Sequence, residues 1–324
     1  TTVVTGNCGI SLAPLVCGTP PPPLDLLAAD DCDAFRFATF AAYVAAVEAR
    51  PATVNAALMV GHSTLRAATM DQLDRPATGA EIADMRTHLR EALQAGAIGF
   101  SSGLFYPTSR RAPTEEVVAI LEELAGTGAI YATHLRDEAD HVDAALTESF
   151  ETARRADVPL VISHHKCMGR RNFGRSVETL AMIDEARAGQ SVLLDIYPYA
   201  AGSSVLLPEL LDKAQCVRVT WSQPCPEQAG RDLSDIARDW GISPVAAMER
   251  LQPGGAVYHM MDPADVERIL SHPAAMIGSD GLPHDVAPHP RLWGTFPRVL
   301  GHYVRVRKLL TLEDAVHRMT GLPA

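Results

Sequence analysis

Four residues that commonly bind metals or move protons each follow a predicted strand: Cys8, His134, His164 and Asp280. A thiolate, two imidazoles and a carboxylate form the mixed sulfur, nitrogen and oxygen donor set that zinc accepts readily. Taken singly, each has a structural explanation, since a lone Cys is usually a small buried hydrophobe. Because all four come at the same end of their strands, together they favour a metal site.

Other polar residues near these strand ends predict the walls of a pocket. Lys166 lies two residues after His164, and Tyr197 belongs to an Asp-Ile-Tyr-Pro-Tyr run that ends another strand. Arg291 lies in a long loop rich in Pro and His, where its guanidinium could clamp a carboxylate. A surface position for Lys166 and a packed loop around Arg291 are the structural alternatives.

An alternation of strands and helices positions these residues. The predicted strands are 1–5, 53–60, 97–100, 130–133, 159–163, 191–196 and 274–277, with 256–260 as a candidate eighth. The predicted helices are 35–50, 81–95, 114–124, 138–157, 176–189 and 312–319, with Thr114 and Ser176 as N-caps. Such alternation is typical of parallel strands joined by helical crossovers.

The predicted fold class is α/β, as a (β/α)8 TIM-like barrel. A doubly wound sheet is the competing arrangement, but no Gly-x-Gly-x-x-Gly turn follows any strand. The candidate residues also follow many strands rather than two, which suits a barrel because its active site collects at that rim. Residues 198–256 interrupt the alternation and predict an excursion or lid. Residues 1–324 are therefore predicted to form one barrel domain with that excursion.

Composition excludes several classes of protein. The 324 residues are 47% hydrophobic, which supports a large core rather than disorder. No apolar run approaches the roughly eighteen residues of a membrane span. The net charge of −11 argues against a sequence-independent nucleic-acid binder. The irregular spacing of the cysteines predicts thiols in a reducing compartment, and hence a cytoplasmic protein: Cys8, Cys17, Cys32, Cys167, Cys216 and Cys225.

Both ends of the sequence have the pattern of a cut chain. Thr1 begins inside a predicted strand, with no initiator Met and no signal peptide before it. The last residues stop just as a helix closes with the stop signal Gly321. The sequence therefore predicts a fragment of a longer protein.

A series of motifs, in a fixed order along nearly the whole chain, resembles one family of hydrolases. The motifs lie at 1–9 with 11–14, 99–107, 133–136, 162–166, 195–199, 278–281 and 289–298. As an ordered set they resemble the N-acyl-D-amino-acid deacylases, also called D-aminoacylases, of the amidohydrolase superfamily. Gly-Ser-Asp at 278–280 would carry no weight alone, whereas the complete set is highly specific.

The resemblance implies a zinc enzyme built on a barrel, with a small β-sandwich formed from both ends of the full chain. It implies that Cys8, His134 and His164 hold the tightly bound zinc, with His164 rather than His165 as the ligand, and that Asp280 is the catalytic acid and base. In most superfamily relatives a carboxylated Lys or a Glu occupies the place of Cys8. Residues implied to lie near the substrate are Lys166, Tyr197, Ser203 and Arg291.

The sequence also departs from the family's pattern. The family opens its barrel with a strand ending in His-x-His, which supplies the second, weaker metal position, and no His-x-His occurs here. The resemblance therefore implies an incomplete barrel that lacks this first strand and the sandwich segments, with at most one zinc per chain.

The activity implied is zinc-dependent hydrolysis of N-acyl-D-amino acids to a carboxylate and a free D-amino acid. The partner is then a small-molecule substrate, with no nucleic acid or membrane; the sequence does not determine the oligomeric state. Two alternatives stay open: another metal-dependent amidohydrolase acting on a cyclic amide or a dipeptide, and a non-catalytic truncated barrel.

Overall fold

The computed structural model describes residues 2–28, 33–282 and 286–324. Thr1, in the first predicted strand, Cys32, among the predicted thiols, and residues 283–285, in the loop that contains Arg291, lie outside the described residues. None of the five described cysteines forms a disulfide, which agrees with the prediction of thiols. Each helix in the described ranges is too short or too polar to cross a membrane.

Twelve strands occur among the described residues. They are β1 (Thr2–Thr5), β2 (Leu15–Val16), β3 (Arg36–Phe37), β4 (Asn55–Gly61), β5 (Gly99–Gly103), β6 (Ile130–His134), β7 (Leu160–Ile162), β8 (Val192–Ile196), β9 (Ala201–Val205), β10 (Cys216–Ser222), β11 (Gly254–His259) and β12 (Ala275–Ile277).

The α-helices within the same ranges are α1 (Phe40–Ala49), α2 (His62–Thr69), α3 (Gly79–Gln94), α4 (Thr114–Leu121), α5 (Val142–Ala156), α6 (Ser176–Arg187), α7 (Leu233–Trp240), α8 (Pro244–Leu251), α9 (Pro263–Ser271), α10 (Arg291–Arg298) and α11 (Leu312–Met319). A π-helix spans Val299–Val306. Short 3₁₀ turns occupy Leu24–Leu27, Glu122–Leu124, Arg170–Asn172, Pro208–Leu210 and Pro226–Gln228.

The main sheet contains seven parallel strands in the order β1-β4-β5-β6-β7-β8-β12. Each of the seven predicted strands corresponds to one of them, so the α/β class and the parallel crossovers are confirmed. Along this sheet Met59 of β4 lies opposite Gly99 of β5, which lies opposite Ile130 of β6. This register aligns the carboxyl ends of the strands, where the candidate residues begin.

Residues predicted as a candidate eighth strand do form a strand, but it does not belong to the parallel sheet. Residues 256–260 overlap β11, which pairs antiparallel with β9 and β10 in a separate three-stranded sheet. Val257 lies opposite Ser203 of β9 and Arg218 of β10. The apolar pattern of a strand does not encode its partner, and here both partners come from the segment predicted as an excursion. That segment contains β9, β10, α7 and α8, and its role as a lid stays a prediction.

Helix starts depend on side-chain partners that the local sequence does not identify. Thr78 and Glu81 form a capping box at α3, whose buried face carries Met85 and Leu89 at helical spacing. Thr114 and Ser176, predicted as N-caps, are instead the first helical residues of α4 and α6. Their hydroxyls donate to the carboxylates of Glu148 and Asp265, respectively, rather than accepting backbone N–H groups.

The chain divides into two compact units. Unit 1 comprises Thr1–Asp137, His141–Ser163 and Met182–Leu193, and unit 2 comprises Glu138–Asp140, His164–Ala181 and Leu194–Ala324. Unit 1 contains β1 to β7. Unit 2 contains the antiparallel sheet and the parallel pairing of the end of β8 with β12.

Candidate metal centre

The turn after β1 holds Cys8 in a left-handed conformation, with φ of 56°. The hydroxyl of Ser101 donates to the carbonyl of Gly6 and accepts the N–H of Gly9 at 3.0 Å, so the end of β5 fixes both sides of Cys8. A Cβ at Gly103 would lie 2.2 Å from the carbonyl oxygen of Cys8. The glycine-rich tract at 99–104 therefore allows the Cys8 turn to approach β5 closely.

The first turn of α2 holds the next residues of the same loop. Ser11 donates its N–H to Thr64 Oγ1 at 2.9 Å, and Thr64 returns its hydroxyl to the carbonyl of Ser11 at 2.8 Å. The hydroxyl of Ser11 accepts the N–H of Gly61 at 3.0 Å. Buried backbone groups without a hydrogen-bond partner are destabilising, and these bonds supply the partners. They also set the path of the loop.

His134 is the last residue of β6 and is buried. Its ring stacks on Phe105, with centroids 5.5 Å apart, and contacts Tyr106 at 4.9 Å. Both aromatic residues follow β5. The tract at 99–107 therefore orients the imidazole of His134 as well as the Cys8 turn.

His164 follows β7 with φ of 38°, another left-handed conformation. Asp195 of β8 accepts the N–H of His164 on Oδ1 at 2.9 Å, and its backbone carbonyl accepts the N–H of His165 at 2.8 Å. A Cβ at Gly278 would lie 2.7 Å from that Oδ1, so glycine at this position leaves room for the Asp195 carboxylate where it stands. Burial raises the pKa of Asp195 to about 7.

The two adjacent histidines contact different groups. His165 directs Nε2 to the hydroxyl of Thr179 in α6, 2.9 Å away. His164 directs Nδ1 to Glu138 Oε1 at 3.1 Å and to Lys166 Nζ at 2.7 Å. Burial and the Lys166 ammonium lower the pKa of His164 to about 3, so its imidazole is neutral, the state that binds metals.

Glu138 is a site residue that sequence reasoning missed. The predicted helix at 138–157 included it as a helical residue, whereas α5 begins at Val142 and leaves Glu138 in a turn. The buried Lys166 ammonium lies 2.5 Å from Glu138 Oε1. Burial by itself lowers the pKa of Lys166, but Glu138, Tyr197 and Asp280 together raise it by more, so the net pKa is raised. The sequence signal that could have identified Glu138 was its position four residues after His134, a candidate ligand.

Three of the predicted residues share one group of donor atoms. Sγ of Cys8 and one ring nitrogen each from His134 and His164 lie within 4.8 Å of one another, and all three side chains are buried. Two imidazole nitrogens and a sulfur form a borderline-soft donor set of the kind zinc prefers. The residues present therefore fit a zinc ion.

Asp280 and the predicted substrate residues form a second connected group. Arg291 Nη1 lies 2.6 Å from Asp280 Oδ2, and its guanidinium lies 4.6 Å from the centroid of Tyr197. The ammonium of Lys166 lies 5.9 Å from the same ring. Ser203 takes part through its backbone carbonyl, which accepts Arg291 Nη2 at 3.0 Å, while its hydroxyl donates to β11. Two cations thus flank the buried Tyr197.

His289 is a second residue that sequence reasoning did not single out. Its Nδ1 accepts the N–H of Arg291 at 2.9 Å, so its proton is on Nε2, which donates to the carbonyl of Ala201 at 2.9 Å. Burial and the Arg291 charge lower the pKa of His289 to about 3. The neutral ring fixes the start of α10, and with it Arg291.

Backbone strain is concentrated at the candidate residues. Five described non-glycine residues have positive φ, and three of them are Cys8, His164 and Asp280. Left-handed backbone at such residues costs about 1–3 kcal/mol each and persists where the surroundings enforce it. For His164, the acceptor on Asp195 supplies that constraint.

Comparison with known proteins shows relatives along the full chain. No family model matches the chain. It is 57% identical over 324 residues to a D-aminoacylase of Alcaligenes xylosoxydans xylosoxydans, covering 100% of this chain and 66% of that protein. The chain thus spans slightly less than two thirds of the length of this curated relative.

Solved structures match as closely. A crystal structure of D-aminoacylase, described as defining a novel subset of amidohydrolases, aligns with a TM-score of 0.97 at 56% identity, over 99% of this chain and 68% of that one. An N-acyl-D-glutamate deacylase from Bordetella bronchiseptica aligns with a TM-score of 0.94 at 47% identity, over 100% and 68%. That structure holds zinc and a phosphonate inhibitor that mimics the tetrahedral intermediate of the reaction.

Proposed function

Because the chain belongs to the D-aminoacylase family of N-acyl-D-amino-acid deacylases, we propose that it carries the catalytic centre for hydrolysis of N-acyl-D-amino acids. The products are a carboxylate and a free D-amino acid. The observation that carries the proposal is the buried group of donor atoms from Cys8, His134 and His164, all within 4.8 Å.

These three residues hold one zinc ion in the proposed site. Three protein ligands with an open position are typical of a catalytic zinc, whereas structural sites are closed by four. When bound, zinc supplies Lewis-acid polarisation of the amide carbonyl and a water nucleophile that is acidic near neutral pH. The zinc in the Bordetella relative supports the choice of metal.

Asp280 moves the proton in this proposal. Its carboxylate accepts a proton from the attacking water and then delivers it to the departing amine nitrogen, a step worth about 10²–10⁴-fold in rate. The Asp280 carboxylate lies 2.6 Å from Arg291 Nη1, which places it beside a second predicted site residue. The same contact holds the carboxylate in one orientation.

Lys166, Tyr197, Ser203 and Arg291 bind the substrate in the proposed site. The ammonium of Lys166 and the guanidinium of Arg291 beside the Tyr197 ring suit the α-carboxylate of an amino acid, and the planar fork of Arg291 matches carboxylate geometry. Ser203 contributes by holding Arg291 through its backbone carbonyl. When the α-carboxylate of the substrate is held at this position, only one enantiomer can direct its N-acyl amide towards the metal site.

We also propose a closed barrel fold and a cytoplasmic location for this enzyme. Closure of the seven parallel strands into a (β/α)8-type barrel is supported by the high TM-scores to amidohydrolase relatives. We infer one catalytic domain with 198–256 as its excursion. We infer a cytoplasmic enzyme from the five described cysteines, none of which forms a disulfide, and a small-molecule rather than a nucleic-acid partner from the net charge of −11.

The test is an assay of the full-length protein, wild type and Asp280→Asn, loaded with zinc. N-acetyl-D-methionine should be hydrolysed and its L-enantiomer should not. Asp280→Asn keeps the shape and removes the base, so turnover should fall by about 10²–10⁴-fold with zinc content and melting temperature nearly unchanged. Hydrolysis of hydantoins or dipeptides instead would indicate a different amidohydrolase. Near-normal turnover in folded, zinc-loaded Asp280→Asn would end this mechanism.

A further inference from the structure

Glu138 is a buried carboxylate that contacts a proposed zinc ligand, His164, and a proposed substrate-binding residue, Lys166. The side chain is 3% exposed, and its Oε1 lies 3.1 Å from His164 Nδ1 and 2.5 Å from Lys166 Nζ. A buried carboxylate is costly unless it is paired and hydrogen-bonded. The contacts of Glu138 with His164 and Lys166 therefore offset the cost of burying its charge.

The segment that carries Glu138 is fixed by its own contacts. The carbonyl of Glu138 accepts the N–H of Met168 at 2.7 Å. The next acidic residue, Asp140, accepts from Asn172 at 2.9 Å and from Lys213 at 2.7 Å. Because both ends of this short segment are held, the carboxylate of Glu138 has a defined position.

The contacts of His164 Nδ1 determine which ring nitrogen is available to a metal. Nδ1 faces a carboxylate and an ammonium at hydrogen-bond distance, so a metal held by this ring would bind Nε2. A histidine that binds a metal through Nε2 carries its proton on Nδ1, and a carboxylate that accepts this proton fixes the tautomer and the ring orientation. Glu138 Oε1 is placed to accept it.

The same oxygen holds the ammonium of Lys166. An ammonium is a point charge on a flexible stem, so its direction depends on its acceptors. With Nδ1 protonated, that nitrogen no longer accepts from Lys166, and Glu138 remains to hold Nζ within reach of the Tyr197 ring. One carboxylate then sets both a metal ligand and a substrate-binding cation.

We propose that Glu138 is a positioning residue that sets the tautomer of His164 for zinc and the direction of Lys166 for substrate. The inference rests on the function proposed above. It assigns Glu138 no contact with the reacting atoms. Loss of its charge should therefore weaken zinc binding and raise KM, while the chemical step at saturating zinc and substrate changes less.

The experiment compares zinc affinity in full-length wild type, Glu138→Gln and Glu138→Ala by competition with a chromogenic chelator. Removal of such an outer partner typically costs about 10–100-fold in metal affinity. The loss should be larger for Ala than for Gln, because the amide oxygen still accepts one hydrogen bond. With zinc saturating, KM for N-acetyl-D-methionine should rise more than kcat falls.

A matched control is Glu116→Gln. Glu116 is also a buried carboxylate between a histidine and a cation, but the donor group does not include its histidine. This variant should lose stability and keep wild-type zinc affinity. If Glu116→Gln does not fold, the control is Glu123→Gln. That variant removes the charge of a partly buried partner of Arg86 and Arg90.

Zinc affinity in folded Glu138→Gln and Glu138→Ala equal to that of the control would overturn the inference. So would a loss of kcat with no rise in KM at saturating zinc. Chelator competition needs no substrate, so the result does not depend on the identity of the reaction. Wild type that fails to bind zinc would instead refute the proposed function.

Discussion

Two buried glutamates of this chain have similar neighbours and different roles. Glu116 is 1% exposed and Glu138 is 3% exposed, each lies 3.1 Å from a histidine ring nitrogen, and each contacts a buried cation. Glu116 belongs to unit 1 and Glu138 to unit 2. Burial and pairing alone therefore do not distinguish a functional carboxylate from a structural one.

The cation beside Glu116 is Arg66, whose donors are committed to the backbone. Its Nε donates to the carbonyl of Thr108 at 2.7 Å, and Nη2 donates to those of Leu73 and Arg75 at 3.1 and 2.7 Å. A planar guanidinium with several fixed acceptors joins chain segments rigidly. This cluster ties α2 and α4 to the loops between them, which is a structural task.

The cation beside Glu138 is Lys166, which has no such set of backbone acceptors among its described contacts. Its described partners are side chains with proposed roles: Glu138, the imidazole of His164 and the ring of Tyr197. The comparison shows that the type of cation, and what else its donors contact, separates the two clusters.

The largest difference is expected from removing the histidine of each cluster. His164→Ala should lose bound zinc, because a primary ligand is gone, whereas His62→Ala should keep it. Elemental analysis of the two purified full-length variants measures this directly. Zinc retained in His164→Ala, or lost from folded His62→Ala, would reverse the roles given to the two clusters.

The next effect is on stability, at the carboxylate of unit 1. Glu116→Ala leaves the Arg66 guanidinium buried without its carboxylate, and breaking such a pair costs about 3–5 kcal/mol of unfolding free energy. Urea unfolding measures the change. Zinc affinity of the folded variant should equal that of wild type. A loss below about 1 kcal/mol, as for an exposed pair, would show that this cluster does not hold the fold.

The smallest effect is a pH dependence that arises from His62. Burial lowers the pKa of His62 below its ordinary value of 6.5, so the folded protein keeps the ring neutral where the unfolded chain takes up a proton. Stability from this group is thus complete above about pH 6.5 and falls as pH decreases, by up to about 1.4 kcal/mol per pH unit.

His62→Gln should remove this dependence. The stability difference between wild type and His62→Gln should shrink between about pH 7.5 and about pH 5.5, by up to about 1.4 kcal/mol. Urea unfolding at the two pH values decides the point. A difference that is the same at both would mean that the histidine does not titrate as proposed.

Much of the site could be predicted because its residues carry local signals. Cys8, His134, His164 and Asp280 each follow an apolar run that forms a strand of the parallel sheet, and that rule needs only periodicity and residue type. Family resemblance then selected the three proposed zinc ligands. The eighth strand failed because an apolar run of five residues carries no information about its partner.

Glu138 and His289 were missed for a different reason. A Glu at a predicted helix start and a His in a Pro-rich loop are common surface residues in sequence. Their importance comes from contacts with residues 28 and 88 positions away, at Lys166 and Ala201. No window of local sequence contains both members of such a pair.

By itself the sequence determined the α/β class, the seven parallel strands and the residue types available for zinc chemistry, because periodicity and side-chain chemistry are local properties. Only the tertiary structure decided which strands pair, that Ser101 and Asp195 hold the turns of Cys8 and His164, and which nitrogen of His164 faces Glu138. These depend on distances between residues far apart in the chain, and such distances exist only once burial has forced each polar group to find a partner.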